Sequence, residues 1–182
     1  KDIERKTLRH ISDAFSEDPV RLLRVARFAQ RFNSLGFKIA SKTKLLMRQM
    51  VISGEVDSLV PERVFRELSL ALSTKKASIF FNVLCECEAY QRIFPMLEIE
   101  KSVVDKLDTV EDIKPEIQFA IWLHKQKIEN IDALCGHLKC PKEYQKLAEF
   151  SSKWCLFVKD FIKHSAKEIL DFSLQTDALQ RG

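Results

Sequence analysis

A run of arginines on one side of an amphipathic segment, residues 16–31, constrains the fold of this chain more than any other feature. The segment reads SEDPVRLLRVARFAQR. Asp18 is a good helix N-cap, and Pro19 then takes the first helical position, where its missing N–H costs nothing. At about 100° per residue, apolar side chains fill one broad side, opposite Arg21, Arg24, Arg27 and Arg31. The pattern predicts a helix over 18–34.

This arginine face has two interpretations. In the first, Asp18 only caps the helix and the arginines form a solvated face, as most charge runs do. In the second, the face binds nucleotides or RNA, because arginine makes bidentate contacts with phosphates and bases. Asp18 and Arg21, three residues apart, share a helical face. They place an acceptor beside a planar fork of donors, which can read the edge of a nucleobase.

The charge distribution also indicates an anionic partner. The chain has 182 residues and a net charge of +4, but residues 1–50 hold 12 Lys or Arg against 5 Asp or Glu. The remaining residues hold 18 against 21. A basic N-terminal quarter on a near-neutral body favours a partner such as nucleic acid, bound at one end.

The remaining periodicity predicts an all-α fold, an irregular array of helices. Only 4 glycines and 5 prolines argue against a turn-rich β protein. Helices are predicted from Ser41 to Met50, from Pro61, from Ser78 to Phe94, and over 117–125, 131–138, 142–159 and 166–172. A polar, acidic stretch near 95–115 suggests two domains, 1–97 and 98–182. The large aromatic residues of both halves are predicted to be core: Phe80, Phe81, Trp122, Trp154, Phe157 and Phe161.

The cysteines and the hydropathy bear on compartment. Five cysteines, without CxxC or zinc-ligand spacing, indicate reduced thiols in a cytoplasmic protein. No apolar run approaches membrane-spanning length, so no membrane partner is expected. The sequence starts at Lys1 and not at a methionine, which suggests that it is a piece excised from a longer protein.

Several short segments of the sequence resemble the neck of bacterial class II tRNA nucleotidyltransferases, the CCA-adding enzymes. They are LRHISDAF at 8–15, EDPVRLLRVARFA at 17–29, LGF at 35–37, VPERVFRE at 60–67 and IFP at 93–95. The resemblance implies neck, body and partial tail, without the catalytic head whose carboxylates hold Mg²⁺. Such a piece would be inactive alone. The parent enzyme would add C, C and A to tRNA from CTP and ATP.

The same resemblance implies roles for single residues. Asp18 and Arg21 match the pair that reads the base, and Glu17 matches the acid that orients the arginine. Arg24 and Arg27 match residues that contact the nucleotide, most simply its triphosphate, and Arg31 is a candidate tRNA contact. The Glu62-Arg63-Val64 motif is expected to be structural, locking the neck helices.

Two alternatives to a CCA-adding enzyme remain open. The Glu-Asp-x-x-Arg motif is shared with bacterial poly(A) polymerases, so a poly(A) polymerase is the first alternative. A non-catalytic RNA-binding helical module is the second.

One feature departs from the pattern of the enterobacterial relatives, in which an HD phosphohydrolase domain follows the body. In this chain Lys125 replaces the aspartate of the His-Asp pair, directly after His124. The HD metal site is therefore predicted to be absent, and His124 to be a core or surface histidine.

Overall fold

The protein is described from a computed structural model, which covers residues 2–109, 114–159 and 164–181. Within these ranges the chain is a helical array with one very short sheet, so the all-α prediction is confirmed. The strands β1 (Thr7–Leu8) and β2 (Lys38–Ile39) pair in parallel. The helices are Val20–Arg31 (α1), Ser41–Ile52 (α2), Pro61–Leu72 (α3), Ala77–Glu86 (α4), Tyr90–Ile93 (α5), Lys101–Lys106 (α6), Pro115–Leu123 (α7), Ile128–Leu138 (α8), Lys142–Lys159 (α9) and Ala166–Arg181 (α10).

Helix α1 starts as its sequence indicates but ends earlier than predicted. Asp18 is extended, Pro19 has helical dihedral angles, and the Asp18 carboxylate accepts a hydrogen bond from the Val20 N–H at 3.3 Å. Regular helix stops at Arg31, and a 3₁₀ turn over Asn33–Leu35 follows. Gly36 ends that turn with φ 79°, a left-handed conformation that glycine adopts without a Cβ penalty.

The helix predicted from Ser78 to Phe94 is wrong, because the chain breaks between α4 and α5. Glu88 has φ 62°, and the Ala89 N–H donates to the Leu84 carbonyl at 2.8 Å. This is the backbone pattern of a Schellman motif, which ends a helix with one left-handed residue. Two further differences concern the second half: α6 lies in the polar, acidic stretch near 95–115, where the periodicity predicts no helix, and α10 continues beyond 172 to Arg181.

The hydrophobic core runs through both halves of the chain. One cluster of buried residues extends from Phe15 to Ala148 and crosses position 97, so the predicted two-domain division stays a prediction. Phe65 on α3 packs edge-to-face against Tyr144 on α9, with ring centroids 5.1 Å apart. Of the aromatic residues predicted to be core, Phe161 lies outside the described residues; the others are buried: Phe80, Phe81, Trp122, Trp154 and Phe157. None of the helices in the described ranges has both the length and the apolarity to cross a bilayer.

Candidate nucleotide and nucleic-acid binding site

The arginine face belongs to α1, which is fixed against α3 and α4 by its apolar side. Leu22, Leu23 and Ala26 are completely buried. Three polar links join α3 to α1 and to Asp18, which lies two residues before α1. They advance in the same direction along both segments: Asp18 to Arg63, Arg27 to Glu67, and Gln30 to the carbonyl of Ala71. The two helices therefore run roughly parallel, and α3 lies along one flank of the arginine face.

Asp18 is bound by Arg63 at the start of α3. The Arg63 guanidinium donates two hydrogen bonds to the Asp18 carboxylate, at 3.0 Å to Oδ1 and 2.7 Å to Oδ2. This charge-assisted pairing lowers the pKa of Asp18 and raises the pKa of Arg63. A carboxylate has about four lone-pair sites. Because Arg63 and the Val20 N–H use three of them, one on Oδ2 remains for another donor.

Arg21 lies beside Asp18 without bonding to it. Its Nη1 donates to the Ala14 carbonyl, and its positive charge contributes to the lowered pKa of Asp18. Arg21 also lines a cavity of about 380 Å³ between α1 and residues 8–12, together with Phe15, Val25 and Phe28. The structure thus places the Asp18 carboxylate, an acceptor, and the Arg21 guanidinium, a donor, at the same end of α1, next to this cavity.

Glu17 does not contact Arg21 in this arrangement. Its side chain is exposed, and it forms no hydrogen bond or ion pair with the described residues. Arg21 is instead oriented by the backbone carbonyl of Ala14, which lies in the preceding 3₁₀ segment Asp13–Glu17. The orienting role of Glu17 stays a prediction.

Arg27 is not part of a solvated face. Its Nε lies 2.6 Å from Glu67 Oε2, and the two side chains are only 14% and 12% exposed. Its guanidinium also lies over the Phe28 ring, 4.9 Å from the centroid. Because Arg27 makes no other hydrogen bond within the described ranges, only its Nη groups are available to a nucleotide.

Arg24 and Arg31 project into solvent from the same helix. Both are exposed, and neither has an ion pair among the described residues. The Arg24 guanidinium lies 6.0 Å from the centroid of the Phe28 ring. Two cations, Arg24 and Arg27, therefore lie near the same aromatic ring. Arg31 lies near Phe32, at the opposite end of α1 from Asp18.

Around His124 and Lys125, where an HD site is expected by resemblance, the described residues contain no assembled metal ligands. His124 Nδ1 is 2.7 Å from the Ile121 carbonyl oxygen, and Lys125 is ion-paired with Glu100. Across residues 2–109, 114–159 and 164–181, no group of three or more His, Cys, Asp and Glu side chains is placed to hold a metal ion. The absence of an HD metal site from this chain stays a prediction.

Arg63 and Glu67 are the residues whose contacts the sequence pattern does not reveal. The pattern assigns Arg63 only to locking the neck helices, yet Arg63 holds the candidate base-reading carboxylate. It assigns no role to Glu67, yet Glu67 holds Arg27. The available signal is their spacing: four residues apart on one helix, they occupy one face, which here is the face towards α1.

We expect Arg63→Gln to raise the pKa of Asp18 towards the usual aspartate value of about 4. A lowered carboxylate pKa stabilises the fold only while the group is ionised. The stability advantage of the wild type is therefore complete above about pH 4 and is lost as the pH falls through the lowered pKa. A ¹³C NMR titration measures the Asp18 pKa. Arg92→Gln, which frees Asp57 instead, is the control, and an Asp18 pKa unchanged by Arg63→Gln would contradict the pairing.

Known proteins resemble this chain along its whole length. A family model described as the probable RNA and SrmB-binding site of polymerase A matches residues 36–100. The CCA-adding enzyme of Coxiella burnetii (strain RSA 331) is 39% identical over 100% of this chain and 48% of its own. The multifunctional CCA protein of Teredinibacter turnerae is 36% identical over 100% of this chain and 53% of its own. The chain thus spans about half the length of these relatives.

The fold is also that of a solved structure. A tRNA nucleotidyltransferase complexed with a primer tRNA and an incoming ATP analog superposes with a TM-score of 0.73. The match covers 97% of this chain and 55% of that one at 21% identity, so it establishes a common fold.

Proposed function

Because this chain belongs to the bacterial class II CCA-adding enzymes, we propose that it forms the part of such an enzyme that selects the incoming nucleotide and binds tRNA. The complete protein then adds C, C and A to tRNA 3′ ends, using CTP and ATP. The observation that carries the proposal is the Asp18 carboxylate, which is held by Arg63 with one acceptor position left, beside Arg21 and an adjoining cavity.

The chemistry of the base edge explains why this pair selects cytosine and adenine. Both bases present an amino donor next to a ring-nitrogen acceptor. The free Oδ2 position of Asp18 accepts from the amino group, and a free N–H of Arg21 donates to the ring nitrogen. Guanine and uracil present a carbonyl and an N–H there, so acceptor meets acceptor and donor meets donor. Each unpaired buried group costs about 1–3 kcal/mol.

The phosphates of the nucleotide are assigned to the next turns of α1. Arg24 is exposed and has no ion pair among the described residues, so its whole guanidinium is available for bidentate phosphate contacts. Arg27 contributes through its Nη groups while Glu67 holds its Nε. Glu67 thereby fixes the direction in which the Arg27 fork points.

The described residues do not offer a site for the magnesium that nucleotidyl transfer uses. They contain no group of three or more His, Cys, Asp and Glu side chains placed to hold a metal ion, and the pairing of Asp18 with Arg63 makes Asp18 a poor metal ligand. We assign Mg²⁺ to carboxylates in another part of the complete protein, where it would supply the two-metal chemistry that joins nucleotide to tRNA.

The cysteines support a cytoplasmic location. All five are free thiols, as is usual in the reducing environment of the cytoplasm.

The test is a nucleotide-addition assay with the complete protein and tRNA that lacks its 3′ CCA. We expect two C residues with CTP alone, and a terminal A only when ATP is added with CTP. UTP and GTP are expected to be rejected. Addition of all four nucleotides at similar rates would contradict a selecting role for this chain.

A second candidate, poly(A) polymerase, is favoured by one observation: the family model that matches residues 36–100 is described as a probable RNA-binding site of polymerase A. The same assay separates the two. A poly(A) polymerase adds long runs of A to RNA with ATP alone and does not need a preceding CTP step.

A further inference from the structure

The end of helix α8 brings two cysteine residues together. Lys139 follows the helix with φ 52°, and the Cys140 N–H donates to the Cys135 carbonyl at 2.9 Å. The Lys139 N–H donates to the Gly136 carbonyl at 3.4 Å. These are the two hydrogen bonds of a Schellman motif, in which the side chains at the positions of Cys135 and Cys140 frequently make an apolar contact. The backbone thus holds the two cysteines next to each other.

The two thiols also interact directly. They hydrogen-bond to each other, and this bond lowers the pKa of Cys135 and raises the pKa of Cys140, although Asp132 and Glu149 near Cys135 oppose the lowering. The pair therefore gives up its first proton to form a thiolate, which is the reactive form of cysteine. Cys135 is buried and Cys140 is partly exposed, so a small reagent reaches the pair from the side of Cys140.

Contacts with α3 hold the corner between α8 and α9 in place on both sides of Cys140. Lys139, the residue before it, forms an ion pair with Glu62 at the start of α3. Tyr144, in the first turn of α9, has its hydroxyl 3.0 Å from the Ser69 hydroxyl. A bond between the two sulfur atoms would therefore close a short ring within a corner whose backbone is already fixed.

We propose that Cys135 and Cys140 form a modification site, a dithiol that a peroxide converts reversibly into a disulfide. The thiolate attacks one peroxide oxygen and becomes a sulfenic acid, while the other oxygen leaves as hydroxide and takes up a proton to form water. The second sulfur then attacks the sulfenic sulfur, which forms the S–S bond and releases a second water. Two thiols are thus oxidised and one peroxide is reduced.

The free thiols of the structure are the reduced form of this site, and disulfides in cytoplasmic proteins are usually transient. A simpler explanation for the pair is packing, since a cysteine is also a small apolar side chain that suits the contact of a helix cap. The two explanations differ in how the pair responds to peroxide.

The test treats the complete, folded protein with hydrogen peroxide, alkylates the thiols that remain and digests the protein with trypsin. Cleavage after Lys139 places the two cysteines on separate peptides, 128–139 and 140–142. We expect mass spectrometry to find these peptides joined by a disulfide that dithiothreitol cleaves. Cys140→Ser should abolish the link. The matched control is Cys155→Ser, which removes another partly exposed thiol and should leave the link unchanged. The Tm of the oxidised protein should rise by a few degrees, because a disulfide restricts the unfolded chain.

The other outcomes overturn the assignment in distinguishable ways. Full alkylation of both thiols after peroxide treatment would leave only their packing role. Sulfinic acid at Cys140 without the disulfide would show that the Cys135 sulfur does not reach it. Equal formation of a disulfide between Cys85 and Cys87, which lie two residues apart and face different sides at the end of α4, would show that proximity in sequence decides oxidation. A lower Tm after oxidation would show that the bond forms only by distorting the corner.

Discussion

Arg27→Ala will lower the free energy of unfolding by about 3–5 kcal/mol, since it leaves the Glu67 carboxylate largely buried without its partner. Glu67→Ala should cost a similar amount, because Arg27 then keeps an unpaired charge beside the Phe28 ring. Urea denaturation followed by circular dichroism measures both. Replacing the pair with Arg27→Met/Glu67→Leu should recover most of the stability, since two apolar side chains leave no uncompensated charge.

Arg92→Ala is the matched control for this prediction. Arg92 and Asp57 also form a short ion pair between distant segments, but both side chains are about half exposed. Exposed pairs contribute about 0–1 kcal/mol, so the control should remain near the wild type. Equal destabilisation by Arg27→Ala and Arg92→Ala would contradict the account of Arg27 as a buried anchor of α1.

Asp18→Ala is the second change with a large expected effect, on nucleotide choice rather than on folding. Removing the acceptor removes about 1–3 kcal/mol of discrimination, which corresponds to a roughly 5- to 150-fold decrease. Incorporation of CTP and ATP should become slower, and rejection of UTP and GTP weaker, while tRNA affinity stays near the wild type. Single-nucleotide incorporation by the complete protein gives the ratios.

The matched control is Asp57→Ala, which removes another arginine-bound carboxylate far along the chain. It should leave the ratios of kcat/KM for the four nucleotides unchanged. If Asp18→Ala also left them unchanged, the base-reading role would be wrong. If it abolished tRNA binding instead, Asp18 would act through the RNA.

The features that the sequence predicts well are local. The start of α1 is predictable because the extended residue, the proline and the apolar stripe all lie within one turn or two. The partners of its charges are not predictable, because Arg63 and Glu67 lie 45 and 40 residues from Asp18 and Arg27. In the sequence the arginine face therefore looks free of acidic partners, although α3 supplies one to Arg27 and a competing arginine to Asp18.

The misplaced helix boundaries have a similar physical cause. The break at Glu88 depends on a positive φ at a residue type that gives no turn signal, and burial of Cys87 and Ala89 on either side offsets its cost. Helix α6 is too short to form by propensity alone. It exists because Val103 and Val104 are buried in the protein core, a tertiary effect that periodicity in a polar stretch does not reveal.

A structure of the complete protein with CTP bound will show whether Asp18 and Arg21 read the edge of the cytosine base. We expect the cytosine amino nitrogen within about 2.7–3.2 Å of the Asp18 carboxylate, and the cytosine ring nitrogen N3 at a similar distance from the Arg21 guanidinium. Arg63 should still hold the other side of Asp18. A cytosine edge bound by other residues, with Asp18 contacting only Arg63 and Val20, would contradict the claim that this chain selects the nucleotide.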